Sequence, residues 1–174
     1  MKVFIFGIWM IFYFSRCNDA EPATYYLPEG YEGVFAVVYS QKIGEEKTIK
    51  DGRRQFFVPS NGILLTQFDF SDGGRDDLFL IKTLNGYDTL KYYIPNQPVR
   101  ERKFDSEFYK KYTTDSSQVA VNFRQIVNTA GVNNFCSFEY ELITIGRAST
   151  LKDSLGKSFS KKLAKYLQDS ICHQ

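Results

Sequence analysis

Apolar residues fall into three regimes along the chain: an unbroken run at the N-terminus, short stretches punctuated by turns, and a four-residue repeat near the C-terminus. In the middle regime, Val34–Ser40 is almost wholly apolar, as expected of a central strand covered on both faces. Arg53–Val58 and Ile63–Phe70 flank Pro59-Ser60-Asn61-Gly62, where Asn-Gly favours positive φ and predicts a hairpin. Asp72-Gly73-Gly74 leads into a strand at Leu78–Leu84, and Asn85-Gly86 into another at Tyr87–Ile94, giving four strands in a meander. Val119, Val121 and Phe123 alternate with Ala120, Asn122 and Arg124 in a half-buried strand running to Val127; a polar turn over Asn128–Asn134 precedes a strand at Phe135–Ile145. The fold class expected is all-β, an antiparallel β-sandwich of about seven strands.

The ends depart from this pattern. Leu151, Leu155, Phe159, Leu163, Leu167 and Ile171 recur every four residues, and Thr150 with Asp153 matches a capping box, predicting an amphipathic C-terminal helix. Lysines surround that stripe, so a membrane-surface or partner helix competes with one packed on its own domain. At the other end Lys2 precedes an apolar run from Val3 to Phe14 and then Ser15, Arg16 and Cys17, the layout of an export signal. The run is short of the roughly 20 residues that a spanning helix needs. Cys17 as the lipid-modified first residue of a tethered lipoprotein, against which Arg16 argues, comes first; cleavage after Ala20, against which Asn18 argues, would release the chain, and an uncleaved anchor is the third outcome. The organisation expected is a signal peptide at 1–16, a tether at 17–24, a β-sandwich domain at 25–148 and a C-terminal helix at 149–174.

Charge narrows the partners. The 174 residues carry 22 Lys and Arg against 20 Asp and Glu; removing the leader deletes Lys2 and Arg16 and brings the mature chain to neutrality. Neutrality supplies no affinity for nucleic acid, so the partners expected are the membrane, through an N-terminal lipid anchor, and an envelope protein or glycan. With Cys17 assigned to lipid, Cys136 and Cys172 remain as a possible disulfide, although Cys136 also alternates in phase with Phe138, Tyr140 and Leu142 as a small buried residue would.

Catalytic signatures are sparse. The single histidine, His173, is next to last, and the sequence contains no zinc-spaced Cys/His cluster, phosphate-binding loop or nucleophile elbow. No catalytic residue, metal site or cofactor is therefore assigned. Asp69–Asp77 is acidic and glycine-rich, but it lacks the spacing of a calcium loop and contains Arg75, so a solvated turn is the simpler reading. Arg100-Glu101-Arg102-Lys103 is read as a solvated bend or helix start. A carboxylate-dependent hydrolase acting on envelope glycans is the rival to a binding or structural domain, with Asp76, Asp77, Glu139 and Glu141 its candidates. Glu139 and Glu141 lie opposite Phe138 and Tyr140, which solvent exposure would explain.

Tyr26-Leu27-Pro28-Glu29-Gly30-Tyr31-Glu32-Gly33, with Asp51-Gly52 and the later Phe57–Thr66 segment, resembles an uncharacterised bacterial family of exported or lipoprotein domains. That resemblance covers about residues 25 to 95 and implies location and a single domain, with no catalytic residues to transfer. A fainter likeness to prealbumin-like or immunoglobulin-like sandwiches is one of fold and implies no function. Physically, Pro28 and Gly30 suit the second and fourth positions of a type I turn feeding the first core strand. Tyr25, Tyr26 and Tyr31 around those glycines are the possible ligand-contacting residues.

Overall fold

The computed structural model describes residues 21–71, 76–93, 111–133, 136–152 and 154–172. The leader, Cys17, the Asp72-Gly73-Gly74 turn, the Arg100–Lys103 charge run, Asp153 and His173 lie outside these residues, as does the side chain of Cys136. The strands are β1 (Ala23–Leu27), β2 (Gly33–Val38), β3 (Ile49–Lys50), β4 (Arg53–Phe57), β5 (Ile63–Leu65), β6 (Leu78–Thr83), β7 (Gly86–Thr89), β8 (Tyr92–Tyr93), β9 (Tyr112–Thr113), β10 (Val119–Asn133) and β11 (Cys136–Arg147). One helix, α1 (Ser154–Ser170), follows.

Two mixed sheets form. The first has the order β3-β4-β1-β6-β7 and the second β5-β2-β11-β10-β8-β9. Alternate residues of each strand face the core they share: Ala23, Tyr25 and Leu27 of β1, Phe56 of β4 and Phe79 of β6 meet Phe35 and Val37 of β2 and Ile143 and Ile145 of β11. Tyr25 stacks on Phe79 at 4.6 Å between ring centroids. The opposite face of β2 and β11, with Val34, Ala36, Val38, Phe138, Tyr140 and Leu142, is covered by Leu163 and Leu167 of α1. Three layers result, and β2 is buried on both sides, as its unbroken apolar run predicts.

About seven antiparallel strands were expected; eleven segments are present among the described residues, and five strand pairings are parallel. The cause is where the turns lead. Pro59–Gly62 makes a turn, with Gly62 at φ 75° and the Ile63 N–H donating to Asn61 Oδ1 at 2.9 Å. It carries the chain from β4 in one sheet to β5 in the other, so no hairpin forms. The chain also changes sheet between β1 and β2, β2 and β3, β5 and β6, and β7 and β8, which leaves β1 flanked by β4 and β6, both parallel to it. Only the Asn85-Gly86 reversal closes a hairpin of the expected meander, pairing β6 with β7. Further on, β10 continues to Asn133 through the expected Asn128–Asn134 turn, absorbing register shifts against β11.

Two local readings shift as well. In the opening turn the Tyr31 N–H donates to Pro28 O at 3.3 Å, placing Pro28 first and Gly30 third; φ of 64° at Gly30 fits a turn that demands a left-handed third residue. At the helix start, Thr150 Oγ1 donates to Arg147 O at 3.1 Å. The Glu21 carboxylate pairs with Arg54 at 3.0 Å, and Ala23 and Thr24 are buried in β1.

Candidate functional site

A cavity of about 860 Å³ opens between the N-terminal half of α1 and the outer face of the second sheet. Its origin lies in the four-residue repeat. In a helix of 3.6 residues per turn each step of four rotates the stripe by about 40°, so Leu155 and Leu167 differ in direction by about 120°. Leu163 and Leu167 are therefore seated on the sheet at 1% exposure each, whereas Leu155 is turned aside and is 39% exposed. Gly156 adds no side chain to fill the gap, and a Cβ there would meet nothing within 4 Å. Val34 of β2, Leu142 and Thr144 of β11, and Asn122 and Gln125 of β10 supply the sheet side of the cavity. Leu151 and Leu155 supply apolar surface from the helix side, and Lys152, Lys157 and Lys161 stand exposed among the lining residues.

Several polar groups in this lining are already engaged. Asn122 Nδ2 donates to Ala120 O at 2.9 Å and to Gly146 O at 2.6 Å, which holds the irregular stretch of β10 to β11. Ser160 Oγ donates to Gly156 O at 2.9 Å. The three lysines have no ion-pair or hydrogen-bond partner among the described residues, whereas Lys47 pairs with Asp69, Lys111 with Asp76, and Lys162 donates to Asn61 O. No carboxylate lines the cavity among the described residues.

The four candidate carboxylates occupy separate surroundings. Asp76 pairs with Lys111, and Glu139 is exposed at the start of β11. Asp77 accepts from the Ala23 N–H at 2.6 Å, fixing the start of β1, and lines a smaller cavity of about 350 Å³ with Lys91 and Lys111. Glu141 departs most from its sequence reading. It does lie opposite Phe138 and Tyr140, but that face looks into the core between the sheets, and Glu141 is 0% exposed. Tyr39 Oη donates to Glu141 Oε2 at 3.1 Å and Tyr25 Oη donates to the same oxygen at 3.3 Å. The strand's alternation shows which residues share a face; only the second sheet partner decides that both faces are covered.

The three tyrosines of the opening segment have three different environments. Tyr25 is buried in the core. Tyr26 points to the outer face of the first sheet, stacks on Phe57 at 4.7 Å and donates to Gln55 Oε1 at 2.8 Å. Tyr31 donates to Val34 O at 3.0 Å, and burial pushes its phenol up to about 12. Cys172 is disulfide-bonded and packs beside the helix core. In the acidic loop Asp69 pairs with Lys47, whose ammonium holds its carboxyl below the usual range, and no metal-binding group of three or more His, Cys, Asp or Glu occurs among the described residues. No helix among them is long and apolar enough to cross a membrane.

Fold and cavity together define a mostly β domain of two mixed sheets, one of them backed by a helix that stands partly clear of it. The chain belongs to DUF6843, a family of unknown function, whose model matches residues 19–120. A crystal structure at 2.75 Å of a Bacillus anthracis protein, provisionally described as a lipoprotein, is similar over 86% of this chain and 96% of that one, with a TM-score of 0.55 and 14% identity. At that identity the likeness is one of fold. No curated protein matches the chain. The family match ends at residue 120, before most of β10, β11 and α1, which carry much of the cavity.

Proposed function

We propose that the protein is an exported cell-envelope domain, tethered to the membrane by lipid on Cys17, that binds a ligand without transforming it. The observation that carries the binding half is the cavity under α1: apolar surface and unpaired lysines line it, and no carboxylate does among the described residues. A glycosidase needs two carboxyl groups facing each other across the scissile bond, so the rival hydrolase finds no support in this cavity. The leader pattern and Cys17 support export and tethering, and the B. anthracis relative in fold, provisionally described as a lipoprotein, fits the same location. The shared core between the sheets favours a β-sandwich, with an envelope protein or glycan as the class of partner first to be sought. Cys136 is the proposed partner of Cys172, since lipid on Cys17 leaves no other cysteine. Growth with a clickable fatty acid tests the tether: label is expected on the wild-type chain and not on Cys17→Ser, and its absence from the wild type overturns lipidation. Crosslinking of tagged protein in intact cells tests binding, and capture of no protein, glycan or lipid would oppose it.

A further inference from the structure

We propose that the cavity under α1 holds one long-chain anion, an acyl chain carrying a carboxylate or phosphate head. This rests on the binding reading above, and gives the cavity a membrane amphiphile as its occupant in place of an envelope protein or glycan. The chain would lie against Val34, Leu142, Leu151 and Leu155, and the head among Lys152, Lys157 and Lys161. Three observations select this chemistry. Lys152, Lys157 and Lys161 lack described partners, as do exposed lysines elsewhere on the domain, but these three gather at the lining of one cavity, where they are cations available to a ligand. The absence of a carboxylate in the described lining leaves a cationic ligand without a counter-charge. A neutral glycan is disfavoured because Tyr93 is the sole aromatic residue in the described lining, which gives a sugar ring little to stack on. At about 860 Å³ the cavity lies within the roughly 300–1,000 Å³ of small-molecule sites.

The occupant is a single amphiphile withdrawn from the bilayer, with the membrane surface itself as the competing outcome. Gly156 gives a clean handle. Gly156 lines the cavity and a Cβ there would meet nothing within 4 Å, so Gly156→Leu adds bulk at the lining with no clash at its Cβ, and leucine is a better helix former than glycine. Lys157 and Lys161 are exposed, so replacing them tests the head without disturbing packing.

The full-length processed protein, held in phosphatidylcholine nanodiscs, would be irradiated with a diazirine-bearing long-chain fatty acid and the adducts mapped by mass spectrometry. Adducts are expected on peptides containing residues 151–161, competed by unlabelled fatty acid but not by the alcohol of equal length or by inorganic phosphate. Gly156→Leu should lower the yield about tenfold or more with no fall in thermal midpoint. Lys157→Ala with Lys161→Ala should lower it roughly threefold, as two exposed ion pairs of a few tenths of a kcal/mol each imply, and remove the preference for acid over alcohol. Adducts unaffected by Gly156→Leu, or equal competition by acid and alcohol in the wild type, would overturn the proposal. Binding of the Gly156→Leu variant to anionic phosphatidylglycerol vesicles as strongly as wild type, with no mapped adduct on either, assigns the lysines to the membrane surface and also overturns it. Label at Cys17 is independent of these variants, so a tethered protein that yields no adduct refutes the ligand and leaves the tether standing.

Discussion

Replacing Tyr39 by phenylalanine should destabilise the domain through a single atom. Tyr39 is 1% exposed and its hydroxyl donates to Glu141 Oε2 at 3.1 Å, inside a core from which water is excluded. Phenylalanine keeps the ring, including its edge contact with Phe56, and removes only the donor. Unmaking a hydrogen bond to a buried polar acceptor costs about 1–3 kcal/mol. With a urea slope of about 2 kcal/mol/M, the midpoint should fall by roughly 0.5–1.5 M at unchanged slope. Tyr25→Phe loses a longer bond of 3.3 Å to the same oxygen and should cost less. Because both hydroxyls serve one acceptor, the double variant should depart from additivity by about 0.5 kcal/mol or more. Glu141→Leu removes the acceptor of both hydrogen bonds and should cost at least about 2 kcal/mol. Equilibrium urea unfolding followed by tyrosine fluorescence and circular dichroism measures all four variants. A Tyr39→Phe stability unchanged to within about 0.3 kcal/mol, with Glu141→Leu equally silent, would refute an energetic role for this cluster.

Leu163→Ala and Leu167→Ala should each lower stability by about 2–5 kcal/mol in thermal or urea unfolding, since both side chains are 1% exposed in the helix layer. A loss below 1 kcal/mol would mean that α1 is not clamped there. Gly62→Ala should cost about 1–3 kcal/mol, because φ is 75° and a Cβ would sit 2.8 Å from Tyr31 Oη and 2.9 Å from Val34 O; the refuting result is a wild-type thermal midpoint. Tyr31 titrates in the unfolded chain near pH 10 and in the folded protein at about 12. The folded state binds more protons in that window, so this contribution is complete below about pH 10 and declines as pH rises towards 12. Tyr31→Phe should flatten that part of the thermal-midpoint profile, and an equally steep profile would contradict the assignment. Mass spectrometry after alkylation with and without reductant should find Cys136 and Cys172 in one bridge; two alkylated thiols without reductant would exclude it.

What could be read from the chain was whatever depends on neighbours in sequence. The apolar run of β2 required cover on both faces, Asn85-Gly86 required a reversal, and the repeat from Leu151 to Ile171 required an amphipathic helix, because periodicity and turn chemistry are local properties. Pairing is not local. Asn61-Gly62 has the same turn chemistry as Asn85-Gly86, yet one passes between sheets and the other closes a hairpin, since the destination of a strand depends on which distant strand offers a free edge. For the same reason Glu141 could be assigned to a face but not to an environment. Its burial comes from Tyr25 and Tyr39, more than a hundred residues earlier in the chain.

The cavity shows the division most clearly. The sequence by itself determined the stripe, the glycine and the lysines of the last helix, and with them an apolar surface edged by positive charge. The tertiary structure alone decided that Leu163 and Leu167 would be the residues seated on β2 and β11, leaving the start of the helix standing clear. A stripe that winds around its helix can lie flat on a sheet for only part of its length, and which part depends on where the sheet is.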